Sequence, residues 1–167
     1  MDLPKRKPIR LKGYDYSQNG AYFITICTNK RECILSNIVG DDAYIVPKNN
    51  LSQIGLICEK YINNINIKYE NVTVDKFVIM PNHIHLIISL HGTLWASSPT
   101  KTIGDIIRSF KTLVAKEAGY PIWQRFYHEH IIRGEKDYLK IWEYIDTNVI
   151  KWERDCFYTD DYNPQYH

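Results

Sequence analysis

The chain has 167 residues, 44% hydrophobic and 24% charged, with a formal net charge of +2, a balance that suits one globular domain and excludes intrinsic disorder and fibrous repeats. Its apolar runs are too short to span a bilayer, and the opening MDLPKRKPIR lacks the apolar core of a secretory leader, so the expectation is a cytoplasmic protein. Four cysteines, Cys27, Cys33, Cys58 and Cys156, form no CxxC pair, which excludes a zinc ribbon and argues against a disulfide framework. The low total charge conceals an uneven distribution, +4 over residues 1–12, −1 over 13–100, +3 over 101–140 and −4 over 141–167. Basic segments of this kind suit phosphate backbones and also occur on solvated faces.

In chain order, Lys5, Arg6, Lys7, Arg10 and Lys12, interrupted by Pro4 and Pro8, read as an extended basic arm over 1–12. A domain over 13–155 and a tail over 156–167 follow. The β-branched and aromatic run 21–28 predicts a strand buried on both faces. Turn signals then surround a short hairpin near 34–38 and 44–46. Leu51, Ile54, Cys58, Tyr61, Ile62 and Ile65 recur at a helical period, with Asn50 as the predicted N-cap. Residues 72–80 and 83–90 predict two strands joined by Pro81-Asn82, and 92–100 a loop. Ile103, Ile106, Ile107, Phe110 and Val114 predict a second helix ending near Ala118-Gly119. A strand over 126–132 and a helix over 136–148 complete the pattern. The order β-α-β-β-α-β plus a C-terminal helix is that of a ferredoxin-like α+β fold, with helices on one face of an antiparallel sheet and the other face open to a ligand or partner.

The densest chemical signal is PNHIHLII, residues 81–88. Strand alternation puts His83 and His85 on one face and Ile84, Leu86 and Ile88 on the other, toward the core. Two imidazoles two residues apart suit one metal ion, because a neutral ring nitrogen is a good donor to transition metals. Spacing alone favours two half-exposed sheet histidines over a metal pair, since a metal needs a further protein ligand. In the last helix Tyr138, Trp142, Ile145 and Val149 form the apolar stripe. Tyr144 lies about 160° from Trp142, on a face shared with Asp137, Lys140, Ile141, Asn148 and Lys151. Tyr144 and Asn148 therefore place a phenol and an amide one turn apart. Taken alone they suit a surface tyrosine beside a helix-ending asparagine; docked over the histidines, they would make a phosphoryl-transfer site.

These residues resemble the HUH motif (histidine, hydrophobe, histidine) of the small single-tyrosine transposases, the insertion-sequence-200-like group, and especially their REP-associated branch. The stretch Trp123-Gln124-Arg125-Phe126-Tyr127-His128-Glu129-His130-Ile131-Ile132-Arg133 is similar to the family's block before its last helix. Glu143-Tyr144-Ile145-Asp146-Thr147-Asn148 resembles its tyrosine helix, and Tyr22-Phe23-Ile24-Thr25 its first strand. The likeness spans roughly residues 10–155. Val149 stands where the family usually has proline, a change expected to lengthen the helix by a turn without removing a reactive group.

The resemblance implies a ferredoxin-like domain in which Tyr144 is the nucleophile and His83, His85 and Asn148 hold Mg²⁺ or Mn²⁺. It further implies a transposase that cuts and rejoins single-stranded or hairpin DNA through a covalent 5′-phosphotyrosine. Expected phosphate contacts are Lys5, Arg6, Lys7, Arg10, Arg108, Lys111, Arg125 and Arg133, with His128 and His130 as supporting residues near the site. Both monomers and dimers occur in such a family, and the sequence leaves the choice open. Two other readings compete: a transposase-derived protein that binds structured DNA or RNA without cutting it, and a two-histidine metal-dependent hydrolase, disfavoured because HIH contains no carboxylate to act as base.

Overall fold

Strand β1 (Gly20–Cys27) carries large side chains on both faces because it lies inside a sheet that is covered on both sides. In this computed structural model, which describes residues 19–40, 46–92 and 101–159, β1 pairs antiparallel with β5 (His83–Leu90) and with β6 (His128–Ile132). Strand β4 (Val72–Ile79) pairs antiparallel with β5, giving the sheet order β4-β5-β1-β6. This is the ferredoxin-like arrangement expected from the element order. The basic arm and most of loop 92–100 fall outside the described residues.

The hairpin between β1 and the first helix differs from expectation. Strand β2 (Ser36–Val39) pairs with β3 (Lys48–Leu51), so Asn50 and Leu51 belong to a strand, and Val46 precedes it. Helix α1 (Gln53–Lys68) therefore starts later, capped by Ser52, whose side chain accepts from Gly55 N. The Ser52 hydroxyl also lies 2.6 Å from the Ile34 carbonyl and 3.0 Å from that of Leu35. A β-carbon on Gly55 would sit 2.1 Å from the Leu35 oxygen, so only glycine lets α1 approach the chain just before β2. Leu51 fits a helical period and a strand equally; the cap at Ser52, two residues past the predicted Asn50, decided the boundary.

Helix α2 (Ile103–Ala118) opens with a Thr102/Asp105 capping box and closes on Gly119 in the left-handed conformation (φ 84°), where expected. Helices α1 and α2 cover one sheet face. Their Cys58, Ile62, Ile65, Ile103, Ile106, Phe110 and Val114 pack against Tyr22, Ile24, Ile26, Ile84, Leu86 and Ile88. No helix among the described residues is long and apolar enough to cross a membrane.

The second face is not open. Helix α3 (Glu135–Thr147) lies across it, with Ile141 and Ile145 buried against Ile87, Ile132, Phe23 and Val78. Ile141, assigned above to the polar face, is thus part of the docking surface. A bulge at Asp75 turns its carboxylate to accept from Ser89 Oγ and from the Tyr138 hydroxyl (3.1 Å), and Lys76 pairs with Asp146. Two buried isoleucines contribute about 1.5–3 kcal/mol each, whereas a part-exposed ion pair contributes about 0–1 kcal/mol. Apolar contact therefore holds α3 in place, and the polar contacts set its register along β4.

Candidate functional site

The turn Met80-Pro81-Asn82 starts β5 at the end of the sheet beside Thr28. Leu35 N and Thr28 N donate to the Pro81 and Asn82 carbonyls (3.0 and 2.9 Å), and Met80 N to that of His83 (2.8 Å). With the turn fixed, alternation puts His83 and His85 under α3, as expected. The half-exposed reading fails, because the two residues are 0% and 1% exposed.

Each imidazole is oriented through Nδ1. Asn82 Nδ2 donates to the Phe157 carbonyl (2.8 Å), so its Oδ1 is the acceptor for His83 Nδ1–H (2.8 Å). His83 Nε2 then carries the lone pair, and it is buried without a hydrogen-bond partner. His85 Nδ1 lies 2.8 Å from Thr25 Oγ1, its neighbour across the β1–β5 register. Burial, reinforced by the positive charge of Arg31, pushes His83 down to about 3. Burial, with His83 adding to it and Asp155 opposing it, pushes His85 well below the ordinary imidazole range. Both rings are therefore neutral near pH 7, the state in which imidazole binds a metal.

Helix α3 brings Tyr144 and Asn148 to the same place. The Tyr144 ring packs edge-on against His85 and Phe23, at 5.2 and 6.0 Å between centroids, and 38% of the residue stays exposed. Asn148, just past the end of α3, is buried, and its Oδ1 has no hydrogen-bond partner. The regular helix stops at Thr147, although Lys151 N still donates to the Thr147 carbonyl (3.1 Å), so helical turning continues past Val149. Two buried lone pairs without partners, on His83 Nε2 and Asn148 Oδ1, leave the site electrostatically incomplete, and a divalent cation fits that donor set.

One participant was missed. Asp155 follows the short 3-10 turn Trp152–Arg154, and one oxygen from it lies within 4.8 Å of donor atoms of His83 and His85, a group that could hold a metal. Asp155 Oδ2 accepts from Asn148 Nδ2 (3.0 Å) and from the Tyr144 hydroxyl (3.2 Å), which also lies 3.3 Å from His85 Nε2. Burial, then the Asp155 charge, raises the Tyr144 phenol above its ordinary value. The sequence offered no sign of Asp155 beyond one more acid in an acidic end, seven residues past Asn148 and beyond the predicted helix.

The chain on either side of the site is tightly held. The Phe157 ring lies 4.6 Å from the His83 ring, and the Arg31 guanidinium lies over the Phe157 ring, 5.2 Å from its centroid. Lys30 and Arg31 both have positive φ (51° and 59°), strained for residues with a β-carbon, and this puts Arg31 beside the site.

The remaining candidates are spread out. His128 is exposed and shares a row across the sheet with Thr25 and His85, whereas the His130 ring is bound to Asp137 (2.8 Å). Neither belongs to the metal-capable group found among the described residues. Lys111 donates to the Gln124 and Arg125 carbonyls (2.7 and 3.1 Å), so its ammonium pins the loop that precedes β6. Arg108 faces solvent beside Asp105, Arg125 lies over the Phe126 ring, and Arg133 is exposed. Lys5, Arg6, Lys7 and Arg10 lie outside the described residues.

No family model matches the chain. An uncharacterized protein of Haemophilus influenzae is 39% identical over 175 residues, covering 93% of this chain and 94% of the relative. A second protein of that organism, named "Putative REP-associated tyrosine transposase", is 26% identical over 147 residues, covering 82% and 74%. Among solved structures, a REP-associated tyrosine transposase bound to a REP hairpin superposes with a TM-score of 0.62 at 21% identity, over 86% of this chain and 74% of that one.

Proposed function

The chain belongs to one family with the uncharacterized Haemophilus influenzae protein and is related to the REP-associated tyrosine transposases, and on that premise we propose that it is a single-strand DNA endonuclease and strand transferase with Tyr144 as its nucleophile. The observation that carries this reading is the convergence of Tyr144 and the unpartnered Asn148 Oδ1 from α3 on the His83/His85 pair from β5. Its substrate is single-stranded or hairpin DNA, and its role is DNA transposition.

In the reaction the Tyr144 oxygen attacks a phosphodiester. The new bond joins that oxygen to phosphorus, the phosphorus–O3′ bond breaks, the phenolic proton passes to solvent, and the departing O3′ takes a proton up. The product is a 5′-phosphotyrosine and a free 3′-hydroxyl, which later attacks the adduct and rejoins the strands without ATP. His83, His85 and Asn148 would hold Mg²⁺ or Mn²⁺, which when bound stabilises negative charge on the phosphate. The protein's part is to hold the phenol. Its ring packs against Phe23 and His85, which limits the directions in which the oxygen can point. A phenol raised by burial and by Asp155 is a weak nucleophile at neutral pH, so the site needs a cation to act.

Asp155 also supplies the carboxylate that the HIH motif lacks, which favours the hydrolase reading more than the sequence did. The two readings separate cleanly. Incubation of the protein with Mn²⁺ and hairpin oligonucleotides should yield a protein–DNA adduct that survives denaturing electrophoresis, absent in Tyr144→Phe. Cleavage by Tyr144→Phe at the parent rate would establish the hydrolase. Binding without cleavage of any sequence by the parent would favour the non-cutting binding protein.

A further inference from the structure

Resting on the metal site of that reading and going beyond it, we propose that Asp155 is a further ligand of the same ion, so that the segment from Trp152 to Phe157 is part of the metal centre. The two imidazoles and the asparagine amide are neutral donors. A divalent ion buried among them alone would keep its full charge in a poorly solvated site. Asp155 brings a negative charge and a hard oxygen to within 4.8 Å of the histidine donor atoms, which suits magnesium or manganese better than imidazole alone.

The carboxylate is fixed from both ends. Asp155 Oδ1 accepts from Phe157 N (2.7 Å), and the Phe157 carbonyl accepts from Asn82 Nδ2 (2.8 Å), the same amide whose Oδ1 orients His83. Trp152 is buried, with its ring 5.9 Å from that of His83, and anchors the turn that leads to Asp155. Asp155 Oδ2 engages Asn148 Nδ2 and thereby leaves Asn148 Oδ1 as the amide atom free to bind a cation. A solvated acid at a chain end would have neither constraint. This one is connected to three of the other groups of the site, His83, Asn148 and Tyr144.

The test uses the full-length protein and direct metal binding, with no DNA. Mn²⁺ is titrated by electron paramagnetic resonance and Co²⁺ by its visible spectrum, in the parent, Asp155→Asn, Asp155→Ala and His83→Ala. Asp155→Asn removes the charge and keeps one of the two acceptor oxygens that Phe157 N and Asn148 Nδ2 use; unchanged melting of its metal-free form shows that the fold is kept. The expected result is a loss of Mn²⁺ affinity of ~10-fold or more in both Asp155 variants, comparable with losses seen when a supporting metal-site partner is removed, and a shifted Co²⁺ spectrum in Asp155→Asn. Parent-like affinity and an unchanged spectrum in Asp155→Asn, with binding lost in His83→Ala, would overturn this inference and leave the two-histidine site standing. If the parent binds neither ion, the metal site of the functional reading fails as well.

Discussion

Strand β5 presents Ile84, Leu86 and Ile88 to an apolar interior under α1 and α2, and on its other face presents His83, His85 and Ile87 to α3. Burial is nearly complete on both sides of this strand. The helix face buries hydrocarbon and leaves few polar groups to satisfy. The α3 face buries His83 Nε2 and Asn148 Oδ1 without partners, at about 1–3 kcal/mol for each such group. A sheet that needed only stability would fill both faces as it fills the first; on the polar face packing energy is given up, as the proposed site requires.

The contrast can be broken from either side. The largest effect on stability is expected on the helix face: Leu86→Ala should lower unfolding free energy by about 2–5 kcal/mol in denaturant titration, while Mn²⁺ affinity of the remaining folded protein stays close to that of the parent. A second test exploits pH. His83 is held near 3 in the folded chain against about 6.5 in the unfolded one. The unfolded state therefore takes up a proton first as pH falls. The metal-free protein should keep full stability from this source above about 6.5 and lose it steadily as pH drops toward 3, with His85 adding in the same direction. Melting temperature followed from pH 8 to 4 should show the decline, and His83→Ala should flatten it.

Smaller effects sharpen the division. Thr25→Val removes the hydroxyl beside His85 Nδ1 and should cost about 1 kcal/mol of stability but ~10-fold or more in Mn²⁺ affinity by titration. The same loss of stability with parent-like Mn²⁺ affinity would show that the hydroxyl serves packing alone. The smallest effect is expected from Asp146→Asn, which breaks the pair with Lys76 and should change stability by less than about 1 kcal/mol. A larger change would mean that the docking of α3 depends on charge more than on Ile141 and Ile145.

Much of this was legible in the sequence, for identifiable reasons. The ferredoxin-like arrangement follows from the order of strands and helices, and α2 announced its C-terminal end through Gly119, whereas its cap Thr102 emerged only with the structure. The placement of His83 and His85 follows from alternation against Ile84, Leu86 and Ile88. Helical phase alone misplaced Ile141, because a broad docking face takes in residues beyond a narrow stripe. The cap at Ser52 and the strand at 48–51 were obscured by Asn50 and Leu51, which fit either element. Asp155 was invisible because it reaches the site through a turn and not along a periodic element. Asn82 and Thr25 could be read only once their partners were known, since a hydroxyl on a strand and an amide in a turn have many uses.

The central claim is that Tyr144, one of thirteen tyrosines, forms the covalent link to DNA. Peptide mapping by mass spectrometry of the protein–oligonucleotide adduct, after nuclease digestion, tests it most directly. The account predicts a 5′-phosphonucleotide on the peptide that contains Tyr144 and on no other. A nucleotide on a different tyrosine, or cleaved DNA with every tyrosine unmodified, would contradict it.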